Sequence, residues 1–256
     1  MTRPSLVERL AGPDNLLGTF NLIPSPEVIE LIALAGFDLV IVDMEHGPHQ
    51  LGQVHAAVLA ADAHGLATVV RVRSLDPPAI GAVLDLGASG VLVPHVESAA
   101  DAAAVVRSAR FAPEGERGAN PWVRAGGFGA RQNWFADTRR DVAVLVMIEG
   151  KNALADLPRI LAVPGLDAVF LGPVDLSHAL GVPGRIDHPT VLAALERAVD
   201  LAAARQLTAG VFAPEPAAAP GWWRQGVRLV ACGVDTGLIR SALCGAVAVA
   251  HGRDQR

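Results

Sequence analysis

Leu39-Val40-Ile41-Val42-Asp43-Met44-Glu45-His46-Gly47-Pro48, residues 39–48, is a run of four large apolar side chains that stops in a cluster of charged groups before a Gly-Pro turn. An unbroken run of this kind, rich in β-branched residues, reads as a strand buried on both faces, as in a parallel sheet covered by helices. Seven further runs share the form: 17–21, 68–72, 90–94, 143–149, 168–171, 208–211 and 229–233. Between them lie segments of helical period with readable ends. Ser25-Pro26 places a cap before a first-turn proline and Gly36 closes that helix; Pro77-Pro78 begins another, which Gly87 stops. Lys151 or Asn152 opens the helix after the fifth run, His188-Pro189 the next and Thr236-Gly237 the last. Eight strands with following helices in 256 residues predict an α/β fold, one closed (β/α)8 TIM barrel spanning residues 1–256.

Composition narrows the partners. Hydrophobic residues make up 51% of the chain and charged residues 18%, enough to bury a sizeable core. A formal net charge of -5 gives no basic surface for nucleic acid, so small molecules are the expected partners. No apolar run approaches the ~18 residues that cross a bilayer, so no membrane is expected. Arg3, Glu8, Arg9 and Asp14 break up the N-terminus, which does not read as an export signal. Cys232 and Cys244 form no CxxC pair; they read as small buried hydrophobes and suit a reducing cytoplasm. Two connections exceed the usual two to six residues, 111–141 and 172–187. The first mixes five glycines with Trp122, Arg124, Arg131 and Trp134, as a lid, a subunit contact or a solvated excursion would.

In a parallel barrel the chemistry sits where strands end. Collected there are Asp43, Glu45 and His46, then Arg71 within Val69-Val70-Arg71-Val72, Glu149 after Ile148, and Asp175 after Gly172-Pro173-Val174. Charges at the edges of apolar runs are costly to bury unless paired or bound to metal. Glu149 and Asp175 are hard oxygen donors of the kind that select Mg or Mn type ions, and each is equally suited to pair with an arginine. Gly172 before a helical turn offers backbone N–H groups to a carboxylate. Arg71 presents a fork of donors to an oxygen that develops charge, or a salt bridge to Asp43 or Glu45. His46 has the chemistry of a general base, weighed against a structural histidine. Of the other histidines, His95 falls near the same rim. Glu45-His46-x-x-His49 lacks the order of a zinc motif, and Gly47-Pro48 breaks the helix one would need. Lys151 is the chain's single lysine; it reads as a helix-start surface residue rather than a Schiff-base nucleophile.

At Asp43-Met44-Glu45-His46-Gly47-Pro48 the sequence resembles the HpcH/HpaI aldolase family, the metal-dependent class II pyruvate aldolases. The resemblance continues in order through Val69-Val70-Arg71, Val83-Leu84-Asp85-Leu86-Gly87-Ala88, Leu92-Val93-Pro94, Gly115-x-Arg117-Gly118, Ile148-Glu149, Phe170-Leu171-Gly172-Pro173-x-Asp175-Leu176-Ser177 and Val234-Asp235-Thr236. It implies a (β/α)8 barrel of the phosphoenolpyruvate/pyruvate type with C-terminal helices exchanged between subunits, assembled as a homohexamer, a trimer of dimers. It also implies a divalent metal (Mg, Mn or Co) on Glu149 and Asp175, Arg71 stabilising an enolate, His46 as base and Asp85 raising the basicity of His46. The backbones of Gly172 and Val174 would hold the donor carboxylate beside Asp175. The implied reaction is reversible aldol addition between a 2-oxo acid, pyruvate or hydroxypyruvate, and an aldehyde. Phe212 and Trp122 are candidates for shaping acceptor choice, whereas Trp222 and Trp223 read as helix packing. Met147 stands where the family often has glutamine, and 121–127 departs from better-known members. An acyl-CoA lyase of the citrate lyase type and a catalytically silent oligomeric barrel are the rival readings; the first would need a basic cluster for CoA phosphates, which the sequence does not display.

Overall fold

The computed structural model describes residues 4–252, so residues 1–3 and 253–256 of the expected barrel domain lie outside the described ones. Eight parallel strands pair in chain order and close into a barrel: β1 (Leu16–Asn21), β2 (Leu39–Asp43), β3 (Ala67–Arg71), β4 (Gly90–Val93), β5 (Ala143–Ile148), β6 (Ala168–Leu171), β7 (Thr208–Ala213) and β8 (Leu229–Val234), with β8 paired to β1. Every expected run becomes a strand. Those read as 68–72, 90–94 and 143–149 end one residue sooner, the second at Pro94, which has no N–H to extend a ladder. β7 and β8 continue to Ala213 and Val234.

The helices are α1 (Leu6–Ala11), α2 (Pro26–Leu34), α3 (Leu51–His64), α4 (Pro77–Asp85), α5 (Ala99–Ala109), α6 (Trp134–Asp141), α7 (Lys151–Ile160), α8 (Pro173–Ala179), α9 (Pro189–Ala204), α10 (Ala219–Arg224) and α11 (Asp235–Ala250). α2 and α4 begin at the expected prolines, and Gly36 and Gly87, both at φ +93°, follow their ends. Ser25 precedes α2 without capping it; its hydroxyl bonds the Glu27 carboxylate instead. α1 was not anticipated, although its capping box, Ser5 with Glu8, is a sequence signal. Leu6 and Leu10 are buried, and the Leu10 carbonyl accepts from Thr208 Oγ1 (2.6 Å) and Arg228 Nη2 (3.1 Å). Thr208 and Arg228 stand where β7 and β8 begin, so α1 closes the N-terminal mouth of the barrel.

Alternation along each strand decides what faces inward. Leu39 and Ile41, Val69, Leu145 and Met147, and Phe170 fill the barrel interior, while Val40, Val42, Val70, Val144, Val146, Ile148, Val169 and Leu171 pack under the helices. Continuing the same period by two residues turns Asp43, Arg71, Glu149 and Gly172 inward at the C-terminal rim. The apolar strands therefore aim the charged residues at one cavity.

The long connection 111–141 joins α5 to β5 and so belongs to the opposite, N-terminal end. Arg117 stacks over Phe111 and Trp134, with its guanidinium carbon 4.7 and 5.6 Å from the ring centroids, and Arg124 pairs with Asp62 at 2.6 Å. This loop is not a lid over the C-terminal rim of its own chain, and Trp122, with 71% exposure, stands at the far end of the barrel from that rim. Connection 172–187 contains α8 and lies at the C-terminal end of the strands. Cys232 is buried as expected, but Cys244 is exposed. The reason is α11: beyond Asp235 none of its residues is buried, and Ile239, Leu243, Val247 and Val249 all stand open to solvent.

Candidate active site

Asp43 and Arg71 are paired residues in the β2–β3 register, so the ladder itself brings them together. Arg71 donates from Nε to Asp43 Oδ1 (2.9 Å) and from Nη2 to Oδ2 (2.5 Å), and Nη1 meets Glu45 at 3.1 Å. Asp43 is fully buried and also accepts from the backbone N–H of Glu45 and of His46. The salt-bridge alternative for Arg71 is what the structure shows; Nη1 also lies 3.8 Å from Met147 Sδ. A thioether is a weak acceptor that an incoming oxygen can replace.

His46 follows β2 on the loop that Asp43 anchors, is exposed and lines the cavity. Gly47 beside it is required by space: a Cβ there would sit 2.3 Å from the Asp43 carbonyl oxygen. Beneath this loop His49 is fully buried, and neither ring nitrogen has a hydrogen-bond partner of good geometry among the described residues. Burial pushes its pKa down, opposed by the Asn21 carbonyl, Asp43 and Asp235.

Glu149 leaves β5 almost wholly buried. Burial pushes its carboxyl above the usual range; the His95 N–H, 2.7 Å from Oε1, works against that, and Asp175 and Glu45 push it further up. Asp175 is exposed in the first turn of α8. Gly172 lets the two approach, because a Cβ would meet Glu149 Oε2 at 3.0 Å and Cβ at 3.1 Å. The two carboxylates fit a hard cation in this respect: one is buried with no arginine or lysine paired to it among the described residues, only the His95 ring at 3.4 Å, and a neighbour of like charge raises its pKa. Among the described residues no group of three or more His, Cys, Asp or Glu is placed to hold a metal, so substrate and water oxygens would have to complete such a site.

The expected backbone cradle is only partly available. The Gly172 N–H points to Ile148 O at 3.3 Å, and Pro173 has none, which leaves the first-turn amide of Val174, one with no acceptor inside its helix. His95 plays a larger part than its sequence position indicated. At φ +57° it donates its N–H to Glu149, and its ring spans Glu45 (Nε2, 2.8 Å) and Glu149 (Nδ1, 3.4 Å). The cavity, of about 240 Å³, gathers Asp43, His46, Arg71, Met147, Gly172 and Asp175.

The family model for HpcH/HpaI aldolase/citrate lyase matches residues 17–242. The chain belongs to this family. A 5-keto-4-deoxy-D-glucarate aldolase from Escherichia coli is 35% identical over 233 residues, 91% of each chain. The crystal structure of an HpcH/HpaI aldolase/citrate lyase family protein from Burkholderia cenocepacia J2315 superimposes with a TM-score of 0.93 at 34% identity, covering 97% of this chain and 100% of that one. An HpcH/HpaI aldolase from Desulfitobacterium hafniense DCB-2 gives 0.89 at 29% identity, covering 96% of each. Membership makes the chain an enzyme of the aldolase, carbon–carbon lyase class.

Within this HpcH/HpaI aldolase family chain, Asp85 is not brought to His46. Asp85 ends α4, just before β4 begins, and accepts from Arg117 Nη2 at 2.6 Å. His46 follows the C-terminal end of β2. Within one chain the two stand at opposite ends of the barrel, because a helix C-terminus and a strand C-terminus point in opposite directions. Lys151 opens α7 and is exposed, the surface position the sequence suggested. Trp222 and Trp223 pack against the outer core, also as expected. Among the described residues no helix is long and apolar enough to cross a membrane.

Proposed function

We propose that this enzyme is a divalent-metal-dependent aldolase that joins pyruvate, or hydroxypyruvate, to an aldehyde and reverses that reaction. The observation that carries the reading is the buried Glu149, which feels the charge of Asp175 and packs against Gly172, behind a cavity lined by Gly172, Asp175, Arg71 and His46. Glu149 and Asp175 would hold the ion, Mg, Mn or Co, which when bound supplies Lewis-acid polarisation of the 2-oxo acid. The Val174 amide, with Gly172 behind it, orients the donor carboxylate. In cleavage, His46 accepts the proton of the C4 hydroxyl as the C3–C4 bond breaks. Arg71, clamped by Asp43 and Glu45, donates from Nη1 to the enolate oxygen as charge develops there. A proton returned to C3 completes pyruvate.

Asp85 can serve His46 only from another copy of the chain. The open apolar face of α11 supports such an assembly, a homohexamer with exchanged C-terminal helices. We place the enzyme in the cytoplasm on its cysteine usage and count it as one barrel domain over residues 1–256. The test is pyruvate release from a 4-hydroxy-2-oxo acid before and after chelation. Activity should vanish with chelator, return with Mg, Mn or Co, and not return in Glu149→Gln. Chelator-resistant activity trapped by borohydride would move the chemistry to Lys151 and overturn the reading.

A further inference from the structure

The strand ends divide the cavity into two arcs of opposite character. From β2 to β6 the polar lining is Asp43, His46, Arg71 and Asp175; Glu45, His95 and Glu149 stand behind it. From β7 through β8 to β1 the lining is Phe212, Val234, Phe20 and Leu22, with Phe170 and Met147 as the floor. Phe20 packs edge-on against both Phe170 and Phe212, with centroids 5.9 and 5.7 Å apart, which fixes this wall as a rigid apolar surface.

Charge reinforces the division. Among the described residues lining the cavity, Arg71 and His46 are the ones able to carry positive charge, and Arg71 already answers two carboxylates. Behind the apolar arc lies Asp235, buried and accepting from the Leu22, Ile23 and Thr236 amides and from Asn21 Nδ2. A carboxylate on the far end of an acceptor would enter this arc, lose its water and face the field of Asp235. The one guanidinium close by among the described residues, that of Arg71, whose carbon lies 4.8 Å from the Phe20 ring centroid, is already taken up by Asp43 and Glu45.

We propose that the acceptor half of the cavity is built for an uncharged, apolar aldehyde, so that the favoured 4-hydroxy-2-oxo acids carry a hydrocarbon chain at C4. This rests on the aldolase reading above and names its acceptor class. The donor oxygens occupy the charged arc, and its C3 faces the apolar one. In cleavage the C3–C4 electron pair stays on C3 as the enolate, the C4 hydroxyl proton passes to His46, and the aldehyde leaves along Phe20 and Phe212. Protonation of C3 then gives pyruvate, with no further reactant.

A matched pair tests this with the full chain and added Mg or Mn: 4-hydroxy-2-oxoheptanoate, which yields butanal, against 4-hydroxy-2-oxoheptanedioate, identical but for its terminal carboxylate. The expected result is a kcat/KM at least about tenfold higher for the uncharged acid. Phe212→Arg, which places a cation on the apolar arc, should narrow or invert that ratio. Equal rates, or preference for the dicarboxylate in the unaltered enzyme, would overturn the proposal. Deuterium exchange into the pyruvate methyl group separates the two levels. Exchange without cleavage of the heptanoate overturns the acceptor assignment alone, whereas absence of both exchange and cleavage overturns the aldolase reading and the assignment with it.

Discussion

Arg71 and His49 show two ways of keeping a polar side chain inside this barrel. Arg71 is matched to Asp43 in a planar, two-bond fork and meets Glu45 as well, so its charge is compensated before any substrate arrives. That arrangement holds the guanidinium still, as the proposed role toward an enolate oxygen would require. His49 has no such compensation and is kept neutral by burial. Its folded pKa lies below the ~6.5 of an unfolded histidine, so the unfolded chain takes up a proton first as pH falls. The stability associated with His49 is therefore complete above about pH 6.5 and is lost as pH drops through that value toward the lowered folded pKa, at no more than about 1.4 kcal/mol per pH unit for one proton. Urea unfolding at pH 7.5 and 5.5 should show a smaller acid-induced loss in His49→Gln than in the natural chain. An equal loss in both would assign the effect to another group.

At the scale of elements, the β2–α3 connection works because it is tight. Asp43 bonds the amides of Glu45 and His46, Met44 N–H donates to Arg71 O, and Gly47 passes within van der Waals reach of the Asp43 carbonyl. A methyl group on Gly47 would meet backbone rather than a yielding side chain, so the connection would have to shift and His46 with it. Gly47→Ala should lower kcat by roughly tenfold or more while costing only about 1–3 kcal/mol of stability, since the strands are untouched. Steady-state kinetics with thermal unfolding checks this. Unchanged kcat would mean that His46 is not held by the loop geometry.

For the whole molecule, two observations support the proposed assembly. α11 leaves Ile239, Leu243 and Val247 on one face, at i, i+4 and i+8, without cover from its own barrel, and Asp85 stands at the end of the barrel remote from His46. If Asp85 serves a neighbouring copy, His46→Ala and Asp85→Ala variants, each of low activity, should regain a fraction of natural activity when mixed and reassembled. Sites pairing one intact His46 with one intact Asp85 would then exist. Leu243→Glu should reduce the assembly size in light scattering and remove that recovery. Separate inactivity of the two variants with no recovery on mixing would confine Asp85 to its pairing with Arg117.

The sequence by itself determined the eight strands, because runs such as 39–43 and 143–148 bury both faces and their composition leaves no other use for them. It also determined that Asp43, Arg71, Glu149 and Asp175 belong to one rim, since each falls where an apolar run ends, and the family resemblance implied roles for Arg71, Glu149 and Asp175. Asp85 shows the limit of that transfer, because a role carried over by position says nothing of which chain supplies the partner. Only the tertiary structure decided which carboxylates Arg71 answers, that His95 ties Glu45 to Glu149, that α1 plugs the N-terminal mouth, and that 111–141 lies away from its own site. Asn21 and Asp235 make the reason plain: 214 residues apart in the chain, they are hydrogen-bonded at 2.7 Å because β8 closes on β1. Spacing along a chain reports faces and ends of single elements, whereas closure of the barrel sets which ends meet.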